Sequence, residues 1–239
     1  VVVFDLKSLQ VLGRTHAADD ADAVLYDPAT KHVFTFNGDA ASSSVIDAAT
    51  GKNIGTIPLG GKPEFGVSSG DGKLFANIED SSQVVEVDPT AMKVTRRWAL
   101  APCESPTGLA LDRAHGILFS GCRNGVMAIS DAKAGKLITT VPIGQGVDAA
   151  RFDPATQLAF ASNGDGTITV IHEDGPAKFT VVGNVATKRG ARTMELDEKT
   201  HRIFTVSADF GPPPAATPDR PRPRPPVLPG TFALLELDP

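Results

Sequence analysis

A repeat of about 42 residues runs along this 239-residue chain and constrains its fold more than any other feature. Five copies of a strand–turn–strand pattern, such as LALDRAHGILFSGC and ARFDPATQLAFASN, align on one residue beside each turn. These anchors are 42, 43, 41 and 44 residues apart: Asp27, Ser69, Asp112, Asp153 and Asp197. A second series, at the end of another strand, keeps a similar spacing: Asp5, Asp47, Asp88, Asp131 and His172.

Each repeat contains enough β-forming sequence for four strands. A β-branched run follows each member of the second series, and Gly, Asp and Pro separate the runs. A period near 42 with four strands per unit is typical of a β-propeller blade, whereas helical arrays of similar period would show a 3.6-residue pattern. The sequence therefore predicts an all-β propeller that forms one domain over residues 1–239.

The strand count predicts material for about five blades. With strands named A to D from the channel outward, the chain holds five A, five B, six C and five D strands. Either N-terminal blades are lacking, or a smaller ring closes when the strands near Arg192 and Ile203 join those at Val1 and Val11. In the second case one C strand would be surplus and could swap between chains, giving a homo-oligomer. Both alternatives stay open.

The B strands carry a resemblance to a known family. VFTFN, LFANI, LFSGC, AFASN and IFTVS follow turns of the D-P-A-T type and resemble the YVTN repeats of bacterial seven-bladed propellers, the YncE-like proteins. The turn at Asp47–Lys52 fits the same pattern, and the resemblance covers essentially the whole chain. It implies a propeller of normally seven blades and an exported protein. A WD40 propeller is not indicated, since no Trp-Asp dipeptide follows a C strand.

The start of each A strand provides the candidate binding site. Five residues precede the anchors by five positions: Asp22, Glu64, Thr107, Asp148 and Arg192. All of them except Thr107 are charged. A charged residue in a half-buried strand is unexpected unless it faces water or a partner. We predict a ligand site here, at one mouth of the channel, with Glu104 from the adjoining loop. Its carboxylates would attract cations or amines, and Arg192 would bind a carboxylate or phosphate. The alternative is a water-filled channel without a ligand.

The same carboxylates are candidate metal ligands. Asp22, Glu64 and Asp148 could hold a divalent cation such as calcium, although their spread around a ring favours a weakly held, solvated ion. No catalytic residue is identified. The G-x-S-x-G pattern at 66–70 lacks the strand–turn–helix context of a nucleophile, and the turn histidines His32, His115 and His201 lack metal-ligand spacing.

Two further features concern the location and the surface of the protein. Cys103 and Cys122 flank one A–B hairpin, so a disulfide is geometrically feasible and would suit an oxidising compartment. With the family resemblance, this predicts a periplasmic or secreted protein, although no signal peptide is present in the sequence. Residues 211–230 form a proline-rich insertion in the last blade, made basic by Arg220, Arg222 and Arg224. They could cover the mouth, bind a protein as polyproline II, or form a solvated loop.

Charge and hydropathy exclude two classes of partner. A net charge of −5 argues against nucleic acid, and no apolar run approaches the roughly 20 residues of a membrane span. The leading prediction is a non-catalytic, exported binding or interaction module that holds a small molecule or protein at the mouth. The alternative is a metal-assisted hydrolase of the lactonase or esterase type, or a lyase, at the same mouth.

Overall fold

The computed structural model describes residues 1–217 and 223–238, and over these residues the chain forms strands β1 to β21 and no helix. The strand count agrees with the prediction. The first two strands pair only with each other, as an N-terminal hairpin: β1 (Val2–Phe4) and β2 (Val11–Arg14). The remaining strands form the five antiparallel blades of a β-propeller.

Blades 1 to 4 each contain four strands in the order A to D. Blade 1 contains β3 (Ala21–Asp27), β4 (His32–Asn37), β5 (Ser42–Asp47) and β6 (Asn53–Pro58). Blade 2 contains β7 (Pro63–Ser68), β8 (Leu74–Ile78), β9 (Gln83–Asp88) and β10 (Lys93–Ala99). Blade 3 contains β11 (Pro106–Asp112), β12 (Ile117–Cys122), β13 (Val126–Asp131) and β14 (Lys136–Pro142). Blade 4 contains β15 (Val147–Asp153), β16 (Leu158–Asn163), β17 (Thr167–Gly175) and β18 (Lys178–Ala186).

Blade 5 contains three strands, and the pairing of these strands shows whether the N-terminal hairpin joins the last blade. The strands are β19 (Met194–Asp197), β20 (Arg202–Ser207) and β21 (Ala233–Leu237). One edge of β20 pairs with β19 and the other with β21, where Thr205 lies opposite Leu235. No edge of β20 is left for the N-terminal hairpin, so the predicted joint sheet of the first two and last A and B strands is not formed.

The apolar core lies between neighbouring blades. Phe36 of blade 1 packs on Gly66 of blade 2, where a Cβ would lie 2.1 Å from the ring. Gly108 of blade 3 lies against the backbone of Ala149 and Ala150 in blade 4, where a Cβ would approach within 2.5 Å. Only glycine allows such close approach, so these two positions let the A strands of blades 2 and 3 pack closely against blades 1 and 4.

The structure places a disulfide between Cys103 and Cys122, whose Cα atoms are 5.5 Å apart. Cys122 ends β12 and lies opposite Pro106 of β11. The bond therefore ties the loop that enters blade 3 to the first hairpin of that blade.

The proline-rich insertion connects β20 to β21. Phe210 and Val227 form an isolated bridge at its base, and Gly211 N donates a hydrogen bond to Pro226 O at 2.9 Å. Arg224 is exposed, whereas Arg220 and Arg222 lie outside the described residues. The function predicted for this insertion stays a prediction. Within 1–217 and 223–238, no helix is long and apolar enough to cross a membrane.

The end of the propeller that carries the A–B turns, called here the turn face, has polar contacts across the boundaries between blades. Ser68 Oγ of blade 2 donates to Asp27 of blade 1 at 2.6 Å. Arg113 Nε of blade 3 donates to the Ser68 carbonyl at 3.1 Å. His201 of blade 5 contacts Asp153 of blade 4 at 2.8 Å. Each contact joins two blades that are neighbours in sequence.

Candidate functional site

The predicted mouth residues of blades 1 to 4 share one backbone feature. Asp22, Glu64, Thr107 and Asp148 each lie where the A strand shifts register against its B strand. Such a β-bulge re-aims side chains and is common beside binding sites. Repetition of the bulge in four blades turns these side chains towards one end of the channel.

These residues line one cavity with Arg192, which precedes β19. The cavity has a volume of about 390 Å³, and Phe65, Arg151 and Met194 also line it. All five positions predicted from the repeat are therefore brought together. Glu104, the sixth predicted residue, is exposed and does not line this cavity.

Arg151 forms the floor of this mouth cavity. It also lines a second cavity of about 280 Å³ that continues along the A strands, as does Phe65. The Arg151 guanidinium lies 5.1 Å from the centre of the Phe65 ring and bonds both carboxylate oxygens of Glu195, at 2.9 and 3.0 Å. This cation–π contact and bidentate ion pair fix Arg151 across the channel between the two cavities.

Two glutamates and two cations form what we call the mouth cluster: Glu64, Glu79, Lys62 and Arg123. Glu79 follows β8, and its side chain is only 10% exposed. Arg123 lies 2.7 Å and Lys62 3.3 Å from its carboxylate. Glu64 lies farther from both cations, at 3.8 and 3.9 Å.

The two glutamates of the mouth cluster differ in their protonation. Burial, then the hydrogen bond with Glu79 and its charge, raises the pKa of Glu64 to about 7. Burial acts to raise the pKa of Glu79 as well, but the hydrogen bond from Glu64 and the charges of Arg123 and Lys62 lower it overall. Glu64 therefore holds the proton that the two carboxyl groups share.

The remaining mouth residues give the cavity an acidic side and a basic side. Burial, then the charge of Asp20, raises the pKa of Asp22, with Lys62 acting in the opposite direction. Arg192 is half-exposed and lies 3.9 Å from Asp148, so its guanidinium keeps donors free for a ligand. The buried Thr107 hydroxyl instead donates to the Val147 carbonyl at 3.1 Å. Thr107 thus joins blades 3 and 4.

Other polar residues in register have structural functions. Asp80, Asn124 and Asp165, just after the B strands, accept hydrogen bonds from backbone N–H groups that precede the A strands. In the G-x-S-x-G pattern, Ser68 is buried and donates to Asp27. It is therefore a contact between blades.

The repeat contains signals for several residues that the sequence prediction missed. Glu79 and Arg123 directly follow B strands, where the corresponding residues of blades 1 and 4 are Gly38 and Gly164. Arg151 and Glu195 stand two residues before the anchors of adjacent blades, with opposite charges at one register. A search for oppositely charged residues at equal register in neighbouring repeats would have found both pairs.

Comparisons with known proteins identify the fold. No family model and no curated protein matches the chain. Among solved structures, it is similar to the β-propeller domain of Cps50 (Swd1) from Myceliophteria thermophila, with a TM-score of 0.72, 13% identity and coverage of 87% of this chain and 73% of that one. It is also similar to hydrazine synthase from Kuenenia stuttgartiensis, with a TM-score of 0.70, 13% identity and coverage of 94% and 64%. At this identity the likeness establishes the β-propeller fold alone, because one fold hosts many unrelated functions.

Proposed function

We propose that this chain is an exported binding or interaction module whose ligand site is the mouth cavity. The observation that carries the proposal is the convergence of four bulge-positioned residues and Arg192 on one cavity. Its volume of about 390 Å³ lies within the range of small-molecule sites, roughly 300–1,000 Å³. Arg151 and Phe65 provide a fixed floor.

The charge distribution favours a ligand that carries both an amine and an acidic group. Asp22, with Asp20 and Asp39 nearby, attracts an ammonium group, while Arg192 on blade 5 is free to bind a carboxylate. The mouth cluster between these two sides is internally neutralised by Lys62 and Arg123. The ligand would therefore bind mainly through Asp22 and Arg192.

Export is supported by the disulfide and by the resemblance to YVTN-repeat proteins. Disulfides persist in oxidising compartments, and the bond between Cys103 and Cys122 is buried. A periplasmic or secreted location is therefore part of the proposal.

The metal and the alternative activity predicted at the mouth have less support. Asp22, Glu64 and Asp148 line the cavity, but in the described part of the chain they do not form a group of three ligand atoms within 4.8 Å. A calcium ion at the mouth stays a prediction. No observation favours the metal-assisted hydrolase or lyase.

Calorimetric titration with small amino acids, diamines and dicarboxylates tests the proposal. We expect a compound with both an amine and a carboxylate to bind, and Asp22→Asn and Arg192→Gln each to weaken binding at least about tenfold, or 1.4 kcal/mol. Asp71→Asn, which removes a carboxylate from the turn face, is the matched control and should leave affinity unchanged. Equal affinity in all three variants would place the ligand elsewhere.

A further inference from the structure

A group of potential metal ligands lies on the turn face, away from the mouth. Asp112 ends β11, His115 lies in the turn that follows it, and Glu173 lies on β17 of the next blade. We call these three residues the seam cluster, because they meet between blades 3 and 4. We propose that the seam cluster binds a divalent cation of the zinc class.

Glu173 provides the strongest argument. Its side chain is 1% exposed, and neither carboxylate oxygen has a hydrogen bond among the described residues. A buried carboxylate without a donor is costly unless a cation compensates it. In this cluster no Lys or Arg is paired with it, unlike Glu79 at the mouth.

The spacing of the ligand atoms fits one ion. One ligand atom from each residue lies within 4.8 Å of the other two. His115 Nδ1 lies 3.2 Å from Glu173 Oε1 and directly contacts the Asp112 carboxylate. Two ligands of a tetrahedral zinc ion at about 2.0–2.1 Å are about 3.3 Å apart. A zinc ion between these atoms therefore requires only small side-chain movements.

The donor set favours zinc over calcium. One imidazole nitrogen and two carboxylates match the ligands of zinc, whereas calcium takes six to eight oxygens. The His115 side chain is 48% exposed, so water can reach the fourth position of a tetrahedral ion. The backbone also orients one ligand, since Ala114 N donates to Asp112 Oδ1 at 2.9 Å and leaves Oδ2 facing His115.

The next boundary between blades provides a matched control. His201 lies in the A–B turn of blade 5, one position later than His115 in the turn of blade 3, and contacts Asp153 of blade 4 at 2.8 Å. In the described residues, no third ligand joins this pair to form a metal-ligating group. His201→Ala therefore removes another turn-face histidine that contacts an aspartate, without touching the seam cluster.

Zinc titration of the untagged, chelator-treated chain tests the inference. We expect one zinc ion per chain by calorimetry, and affinity reduced at least tenfold in both His115→Ala and Glu173→Gln. His201→Ala should bind within twofold of the unaltered chain. Saturating zinc should also raise the melting temperature of the unaltered chain and of His201→Ala by at least about 4 °C, but not that of Glu173→Gln.

Three results would overturn the inference. The first is no zinc binding by the unaltered chain, and the second is full affinity in both cluster variants. The third is an equal loss of affinity in His201→Ala. Circular dichroism spectra that match the unaltered chain would show that each variant is folded. The outcome of the ligand titration proposed for the mouth cavity does not affect this test, because the mouth cavity and the seam cluster share no residue.

Discussion

The mouth cluster and the seam cluster both contain a buried glutamate next to a second carboxylate, but they are compensated differently. At the mouth, Arg123 and Lys62 contact Glu79, and Glu64 holds the shared proton. In the seam cluster, His115 is the one ion-pair partner of Glu173 among the described residues, and His115 also contacts Asp112. The protein thus supplies its own cations at the mouth, whereas the seam cluster gains stability from a cation added from solution.

The largest expected effect is the pH dependence that Glu64 gives the mouth cluster. Its pKa is about 7 in the folded protein and 4.5 as an ordinary glutamate. The folded state therefore binds the proton more tightly. The associated stability is fully present below about pH 4.5 and is lost as pH rises through 7, by up to about 3 kcal/mol. Urea denaturation between pH 4.5 and 8 should show this fall.

Glu64→Gln removes the titrating group and is the natural comparison. Its free energy of unfolding should change less with pH over the same range. If both proteins lose stability in parallel, Glu64 does not hold the shared proton and the contrast between the two clusters fails.

Loss of Arg123 should have the next largest effect. Arg123→Met leaves the Glu79 carboxylate with Lys62, at 3.3 Å, as its one cationic contact among the described residues, so we expect the free energy of unfolding to fall by about 2 kcal/mol. Arg192→Met removes an arginine that lies 3.9 Å from Asp148 in an exposed pair and should cost less than about 0.5 kcal/mol. Equal losses, measured by urea denaturation at pH 7, would contradict internal compensation at the mouth.

The smallest effect has the opposite sign and concerns Glu173. With chelator present, Glu173→Gln should stabilise the protein by about 1 kcal/mol at pH 8, because it removes a buried charge that shares His115 with Asp112 and that no Lys or Arg of the described residues contacts. Glu195→Gln should instead destabilise it, because Glu195 is paired with Arg151. If Glu173→Gln lowers the melting temperature as much as Glu195→Gln does, Glu173 is already compensated.

The repeat made most of the fold predictable, because three strand series keep one period. It also placed Glu64 of blade 2 in register with the other residues that line the mouth cavity, although β7 ends at Ser68, one residue before the Ser69 anchor. The following turn is one residue longer, so Glu64 stands ten residues before the first residue of β8, as Asp22 does before β4. The earlier end of β7 and the longer turn cancel, so Glu64 keeps the same distance in sequence from its B strand as Asp22.

Contacts between blades were harder to predict than the blades themselves. His115 and Glu173 are far apart in sequence, and they meet only because blades 3 and 4 pack face to face. The internal compensation at the mouth likewise depends on Arg123 of blade 3 reaching Glu79 of blade 2. Such pairs require the relative rotation of neighbouring blades, which a single repeat does not encode.

The contacts across the blade boundaries of the turn face have a consequence for local unfolding. Extensive contacts between strands occur within a blade or between blades adjacent in sequence. The stability of a repeat architecture is then close to the sum of the stabilities of its repeats and of the interfaces between neighbouring repeats. One boundary between blades can therefore unfold locally while the others stay intact. A cation between Asp112 and Glu173 would slow amide hydrogen exchange mainly in blades 3 and 4. Exchange in blade 1, where Asp27 accepts a hydrogen bond from Ser68 of blade 2 across the boundary, would change little.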